Sequence, residues 1–154
     1  MCSSDLLEER KSLRVKGDPN SHIIWRDVTT ALQCTQRLVA IARKQRAAIH
    51  VLHVSTGEEM AFLAAHKDVA SIEVTPHHLT LDASLYNSLG TKLQMNPPVR
   101  EASHRTRIWA GLEQGLVDVL GSDHAPHTLE EKAKTYPDTP SGMTGVQTLV
   151  PIML

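Results

Sequence analysis

The sequence predicts an α/β fold in which the short strands of a parallel sheet alternate with amphipathic helices. Runs rich in Val, Ile and Leu recur along the 154 residues, and stretches with helical periodicity separate them. Such an alternation is typical of βα units and a parallel sheet. No internal repeat, low-complexity tract or linker interrupts it. About three units can be traced, whereas a closed (β/α)8 barrel has eight units and roughly 250 residues.

The first unit is a helix that leads into a strand. Residues 30–46 place apolar side chains on one helical face, and residues 49–54 form a β-branched run. Overlapping capping boxes in residues 55–59 then predict a helix that continues to about His66.

The later elements follow the same alternation. Pro76 ends a predicted strand, because the residue before a proline is restricted, and Gly90 ends a predicted helix. The predicted elements are a strand at 71–75, a helix at 82–89, a loop at 96–98, a helix at 101–114, a strand at 116–120, a capped turn of helix from 128 and an uncapped helix near 146–154.

Composition and charge exclude several classes of function. Sixteen Lys and Arg residues against seventeen Asp and Glu residues leave a formal net charge of -1, so no basic field attracts nucleic acid or an anionic membrane. The apolar runs are far shorter than the ~20 residues of a membrane span, and the charged N-terminus does not fit a signal peptide. Two cysteines form neither a disulfide framework nor a metal knuckle. We therefore expect a cytoplasmic protein.

Histidine is the unusual residue, with nine against only five Phe, Tyr and Trp residues. Polar clusters fall where three predicted strands end, at 53–56, 75–78 and 122–127, and the loops at these ends build the active site of an α/β barrel. His53 and Asp123 are the best candidate metal ligands, since imidazole and carboxylate suit zinc. Structural roles remain the alternative: a hydrogen-bonded His53 and a turn or capping Asp123.

The other histidines and the charged segment after residue 128 are expected to be structural or solvated. We expect His77 to satisfy a backbone group at the end of its strand. His22, His66 and His104 lie in polar or helical surroundings, and residues 130–134 are typical of an exposed helical face.

Five motifs, taken together, resemble the dihydroorotases within the cyclic amidohydrolases. In order they are His-Val-Ser-Thr at 53–56, Glu-Val-Thr-Pro-His-His-Leu at 73–79, Asn-Pro-Pro-Val-Arg at 96–100, Gly-Ser-Asp-His-Ala-Pro-His at 121–127 and Ser-Gly-Met-Thr-Gly-Val-Gln at 141–147. The resemblance implies a partial TIM-type (β/α)8 barrel of the metal-dependent amidohydrolase kind. Residues 1–154 would be its C-terminal portion, roughly the last three βα units, truncated at both ends.

The resemblance also implies roles for single residues. His53 resembles a ligand of the second of two zinc ions, and Asp123 resembles the catalytic aspartate that contacts the first zinc and moves the proton. The implied reaction is the reversible interconversion of dihydroorotate and N-carbamoyl-aspartate in pyrimidine biosynthesis. Asn96, His127 and the backbone at Gly142 resemble the positions that bind the substrate. His78 resembles a residue that supports the metal ligands.

The chain departs from the family pattern upstream. A complete dihydroorotase carries a His-x-His pair, a bridging carboxylated lysine or aspartate and a further histidine, none of which occurs here. We therefore expect a fragment that is inactive alone and whose free strand edges favour pairing. The alternatives are a hydrolase of hydantoin, allantoin or dihydropyrimidine, a non-catalytic dihydroorotase-like structural subunit, or a small α/β binding domain. The resemblance implies either a homodimer or an association with aspartate transcarbamoylase.

Overall fold

The structure is a computed structural model that describes residues 5–154. Short 3-10 helices cover Arg10–Leu13, Ala83–Leu85 and Gly90–Leu93. The α-helices and strands are, in chain order, α1 (Asp5–Glu9), α2 (Ser21–Trp25), α3 (Val28–Gln45), β1 (Ile49–Val51), α4 (Gly57–Ala64), β2 (Ala70–Val74), α5 (Pro76–Thr80), α6 (Tyr86–Leu89), α7 (Ala102–Glu113), β3 (Val119–Leu120), α8 (Leu129–Lys132) and α9 (Val146–Met153).

The three strands form one parallel sheet in the order β1-β2-β3. Ile49 pairs with Ala70 and Val51 with Ile72, and at the other side of β2 Val74 pairs with Leu120. Helices connect successive strands, so each connection is the crossover of a βα unit. The predicted parallel sheet is confirmed, and it is consistent with part of a barrel.

Two strands are shorter than predicted. β1 ends at Val51 and not at residue 54, and β3 contains only Val119 and Leu120. The backbone of His53 has a φ of 40°, which lies in the left-handed region. A strand requires a negative φ, so His53 takes the chain out of the sheet.

Pro76 has a second role beside ending β2. It begins the five-residue helix α5, which the sequence analysis did not predict, and the side chain of Thr75 caps that helix by accepting a hydrogen bond from the backbone N–H of His78. Proline suits the first turn of a helix because no intrahelical donor is lost there. The histidine pair 77–78 therefore lies on a helix and not in an extended strand end.

Two of the predicted helix caps are present, and of the two overlapping boxes predicted at residues 55–59 it is Thr56, not Ser55, that caps α4. The Thr56 side chain accepts a hydrogen bond from the Glu59 backbone N–H at the start of α4. At α8, Thr128 and Glu131 form a reciprocal capping box. None of the helices between residues 5 and 154 combines the length and apolar character needed to cross a membrane.

The main core lies between one face of the sheet and helices α3, α4 and α7. Leu63 of α4 and Ile72 of β2 are both fully buried there. The members of this cluster are Val39, Val51, Val54, Met60, Leu63, Ala70, Ile72, Val74, Leu79 and Ile108. A second cluster, made of Tyr86, Leu93, Met95 and Val99, lies beneath the loop at 96–98.

The opposite face of the sheet is more open in the described part of the chain. His50, Leu52 and Val119 are exposed on or beside β1 and β3. His50 contacts Ser71 through Nδ1, at 2.7 Å from the hydroxyl oxygen, and it also lies near the carboxylate of Glu73. In a closed barrel this face would point to the interior.

Candidate functional site

The candidate site lies at the carboxyl ends of the strands, where His53 follows β1 and Asp123 follows β3. Both residues have a positive φ, 40° for His53 and 42° for Asp123. Such a backbone is uncommon for residues other than glycine and is concentrated at functional sites. The backbone N–H of His53 donates a hydrogen bond to Glu73 Oε1 at 3.2 Å, which ties this turn to β2.

The metal site predicted from His53 and Asp123 is incomplete within this chain. No group of three or more His, Cys, Asp and Glu side chains in residues 5–154 is arranged to hold a metal ion. No hydrogen bond or ion pair joins His53 to Asp123 in this part of the chain. A zinc site needs at least three protein ligands, so the donors present do not form such a site by themselves.

The side chain of Asn96 is hydrogen-bonded to a buried histidine. His22 is 2% exposed, and its Nε2 lies 3.0 Å from the Met95 carbonyl oxygen and 3.1 Å from Asn96 Oδ1. Burial lowers the pKa of His22 to about 4, so the ring is neutral near pH 7 and its Nε2–H donates to these oxygens. Because the side-chain oxygen of Asn96 accepts this hydrogen bond, the amide can still donate through its NH2 group.

The expectation that His22 is solvated was therefore wrong. Trp25 and Tyr136 pack edge-on around it, and the Trp25 indole N–H donates a hydrogen bond to the Tyr136 hydroxyl at 2.7 Å. A polar sequence neighbourhood did not predict this burial because Tyr136 is 114 residues away along the chain. His104 is also buried, against Gly57 and Glu58, whereas His66 is half-buried on the side of α4.

His78 supports the loop that carries Asn96. Its ring is buried, and Nε2–H donates to the Pro97 carbonyl oxygen at 3.2 Å while Nδ1 lies 2.8 Å from the Thr75 hydroxyl. Burial lowers the pKa of His78 to about 3, which keeps the ring neutral. The neighbouring His77 donates to the Thr144 carbonyl oxygen at 2.8 Å, as expected of a histidine that satisfies a backbone group.

Gly142 and His127 come together although they lie on different loops. A Cβ atom on Gly142 would lie 2.7 Å from the Ala125 carbonyl oxygen and 2.9 Å from His127 Nε2. Only glycine allows the two loops to approach this closely. The Ala125 backbone N–H donates to the Met143 carbonyl oxygen at 2.9 Å, so the contact is fixed by the main chain as well.

The segment after Gly142 is held by a further histidine. His124 Nδ1 accepts hydrogen bonds from the backbone N–H groups of Gly145 and Val146, at 3.1 and 3.3 Å. The start of α9 is thereby joined to the loop that follows β3. Among the predicted substrate positions, the structure thus brings Gly142 directly against His127, whereas Asn96 lies in a separate loop.

Buried charges behind Asn96 were missed by the sequence analysis. Arg100 is buried, donates to the Arg26 carbonyl oxygen and lies 3.4 Å from the Ser55 hydroxyl. Desolvation lowers the pKa of Arg100 to about 10, so it stays charged near neutral pH. Buried Glu59, interpreted from the sequence only as a capping residue, accepts hydrogen bonds from Thr35 and Thr56. The one signal that pointed to Arg100 is its place in the 96–100 motif.

A cavity of about 360 Å³ lies beside these residues. His53, Asn96 and Arg100 line it together with part of α3 and the edge strand β1. Its wall is thus shared by one predicted metal ligand and one predicted substrate residue.

Comparison with known proteins gives a consistent set of relatives. No model of a known protein family matches the chain. The dihydroorotase of Latilactobacillus sakei subsp. sakei is 41% identical over 141 residues, which are 90% of this chain and 31% of that protein. The dihydroorotase of Halobacterium salinarum is 37% identical over 139 residues, covering 90% of this chain and 32% of that protein.

Solved structures extend the likeness to the fold. The L-hydantoinase (dihydropyrimidinase) of Arthrobacter aurescens superimposes with a TM-score of 0.86 at 27% identity, over 96% of this chain and 34% of that chain. A D-hydantoinase (dihydropyrimidinase) from Thermus sp. gives a TM-score of 0.87 at 22% identity, over 97% of this chain and 35% of that chain.

The fold and these likenesses define the class first: the chain is part of an amidohydrolase TIM barrel. Within that class the chain is similar to curated dihydroorotases, which are cyclic amidohydrolases. The resemblance and the fold class predicted from the motifs are both confirmed. The chain spans about a third of the length of the curated relatives it matches.

Proposed function

We propose that this chain supplies part of the active site of a dihydroorotase, which interconverts dihydroorotate and N-carbamoyl-aspartate in pyrimidine biosynthesis. Residues 1–154 would form the C-terminal portion of its barrel. The observation that carries the proposal is the packing of Gly142 against His127 at the carboxyl ends of the strands, in a chain whose relatives are named dihydroorotases.

The donors at this edge suit a cyclic amide that carries a carboxylate. The NH2 group of Asn96 and the imidazole of His127 can donate to carbonyl or carboxylate oxygens. The glycine at 142 lets the main chain of its loop lie directly against His127, which places backbone groups beside this imidazole. Asp123 is proposed as the carboxylate that takes up and returns the proton during ring opening and closure.

His53 and Asp123 are proposed as two ligands of a zinc site. We propose two zinc ions, as in the family pattern, with the remaining ligands supplied from outside this chain. Because the donors within residues 5–154 do not complete the site, we expect the isolated chain to be inactive.

Two observations favour other candidates. Solved structures that superimpose on the chain include hydantoinases named also as dihydropyrimidinases, which favours hydantoin or dihydropyrimidine as the substrate. The incomplete ligand set among the described residues favours a non-catalytic structural subunit.

A chimera separates these candidates. The segment of the Latilactobacillus sakei dihydroorotase that aligns with this chain would be replaced by the chain, and the chimera loaded with zinc. Hydrolysis of dihydroorotate, hydantoin and dihydrouracil would then be measured, with Asp123→Asn as the matched control.

Turnover that prefers dihydroorotate and is lost in the Asp123→Asn chimera supports the proposal. A preference for hydantoin or dihydrouracil favours the alternative substrate class. A folded, zinc-loaded chimera without activity on any of these rings favours the structural subunit and contradicts the proposed function.

We propose a cytoplasmic location and, as partner, either a second copy of the protein or aspartate transcarbamoylase. The free edges of β1 and β3 within the described sheet favour pairing of the isolated chain. Light scattering of the 154-residue chain, alone and mixed with aspartate transcarbamoylase, measures both associations. A chain that stays monomeric in each case contradicts this part of the proposal.

A further inference from the structure

Lys132 is a buried cation with three main-chain acceptors. It lies at the end of α8 and is 6% exposed. Its Nζ donates hydrogen bonds to the carbonyl oxygens of Gln94, Pro140 and Gly142, at 2.9, 3.0 and 3.2 Å. The expectation that residues 130–134 form an exposed helical face was therefore wrong at this position. The side chain of Lys132 instead points from α8 into the protein, toward two loops that lie far from each other in the sequence.

The acceptors of Lys132 belong to the loops that carry candidate substrate residues. Gln94 lies two residues before Asn96, and its carbonyl oxygen also accepts a hydrogen bond from the Gly142 backbone N–H at 3.0 Å. The Gln94 side chain donates to the Thr139 carbonyl oxygen and to the Ser141 hydroxyl. The ammonium group therefore lies where the 94–96 segment meets the 139–142 segment.

The charge of Lys132 is compensated by carbonyl dipoles. Within residues 5–154 it forms no ion pair with a carboxylate. Burial lowers its pKa to about 8, so the ammonium form with three N–H donors is present near neutral pH. Its removal would leave three carbonyl oxygens without this donor, and unpaired buried acceptors are costly.

We propose that Lys132 is a positioning residue that fixes the backbone of Gly142 against His127 for substrate binding. The inference rests on the proposed function, because it assumes that this backbone contacts the substrate. Lys132 acts through the main chain of Gly142, and its ammonium group joins α8 to the two loops.

The test compares Lys132→Met with Lys134→Met. Methionine keeps an unbranched stem and removes the donors, and Lys134 is an exposed lysine two residues away, which makes it the matched control. Hydrogen exchange of backbone amides would be measured in the 154-residue chain at Gly142 and Ala125, with Ile72 in β2 as the reference for global unfolding. Steady-state kinetics would be measured in the chimera.

The expected result is exchange that is about tenfold faster or more at Gly142 and Ala125 in Lys132→Met, with Ile72 unchanged and Lys134→Met like the parent chain. In the chimera, Lys132→Met should raise KM about tenfold and leave kcat within about threefold, since ground-state and transition-state binding weaken together. Lys132→Gln, which restores donors on a shorter side chain, should be intermediate.

Equal acceleration at Gly142 and Ile72 would mean that Lys132 only adds global stability, and would overturn the proposal. Parental exchange at Gly142 in Lys132→Met would overturn it as well, as would an unchanged KM in an active chimera. If the unsubstituted chimera turns over none of the cyclic amides, the proposed function fails by itself. The exchange data then still decide whether Lys132 holds the Gly142 loop.

Discussion

Acidification tests the burial of neutral His22 directly. Its pKa is 6.5 as a free side chain and about 4 in the folded protein, because burial removes water from the ring. Between these pH values the unfolded chain binds a proton that the folded chain does not. The stability associated with neutral His22 is therefore fully present above pH 6.5 and is lost as the pH falls toward 4.

The size of this effect follows from the same two values. Each pH unit in that window corresponds to about 1.4 kcal/mol, so protonation of His22 costs about 3 kcal/mol of unfolding free energy over the whole interval. That loss is a large part of the unfolding free energy of a typical folded domain, which is roughly 5–15 kcal/mol. His78, whose pKa is lowered to about 3, adds a loss of the same sign.

The assay is urea unfolding at several pH values between about 7 and about 4.5. His22→Gln removes the titrating ring, and we expect it to flatten the dependence of unfolding free energy on pH by about 1.4 kcal/mol per unit below 6.5. Tyr136→Phe is the matched control, since it removes the hydroxyl group near His22 Nδ1 and keeps the imidazole. It should lower stability and retain the slope. A slope that is identical in the parent chain and His22→Gln would refute the reasoning.

Two further predictions concern the core and the start of α9. Leu63 is fully buried in the main core, so Leu63→Ala should lower the unfolding free energy by about 2–5 kcal/mol in urea titrations. The control is Leu129→Ala, at a side chain 78% exposed, which should change the unfolding free energy by less than about 0.5 kcal/mol. Equal effects of the two substitutions would contradict the assigned core. A Cβ on Gly145 would overlap the carbonyl oxygen of Ser122, so Gly145→Ala should cost about 1–3 kcal/mol and lower the melting temperature in a thermal scan, and an unchanged melting temperature would show that this backbone yields easily.

The contacts that position the candidate site residues were harder to predict from the sequence than the site residues themselves. The 96–100 and 121–127 motifs indicated Asn96 and His127 through their resemblance to dihydroorotase motifs, and Asp123 also through its place at the end of a predicted strand. The sequence did not indicate that His22 binds Asn96, or that Lys132 binds the Gly142 carbonyl oxygen. These contacts join segments 74 and 10 residues apart, and neither end carries a local pattern that names its partner.

The sequence by itself determined the parallel sheet, the main helices and the caps at Thr56 and Thr128. These features depend on periodicity and on hydrogen bonds between residues three or four positions apart, which are visible in a linear chain. Only the tertiary structure decided which polar side chains are buried. Burial depends on which distant segments cover a residue. For that reason Lys132, on a charged four-residue helix, is a buried donor at the candidate site, and Lys134, two positions later, is exposed.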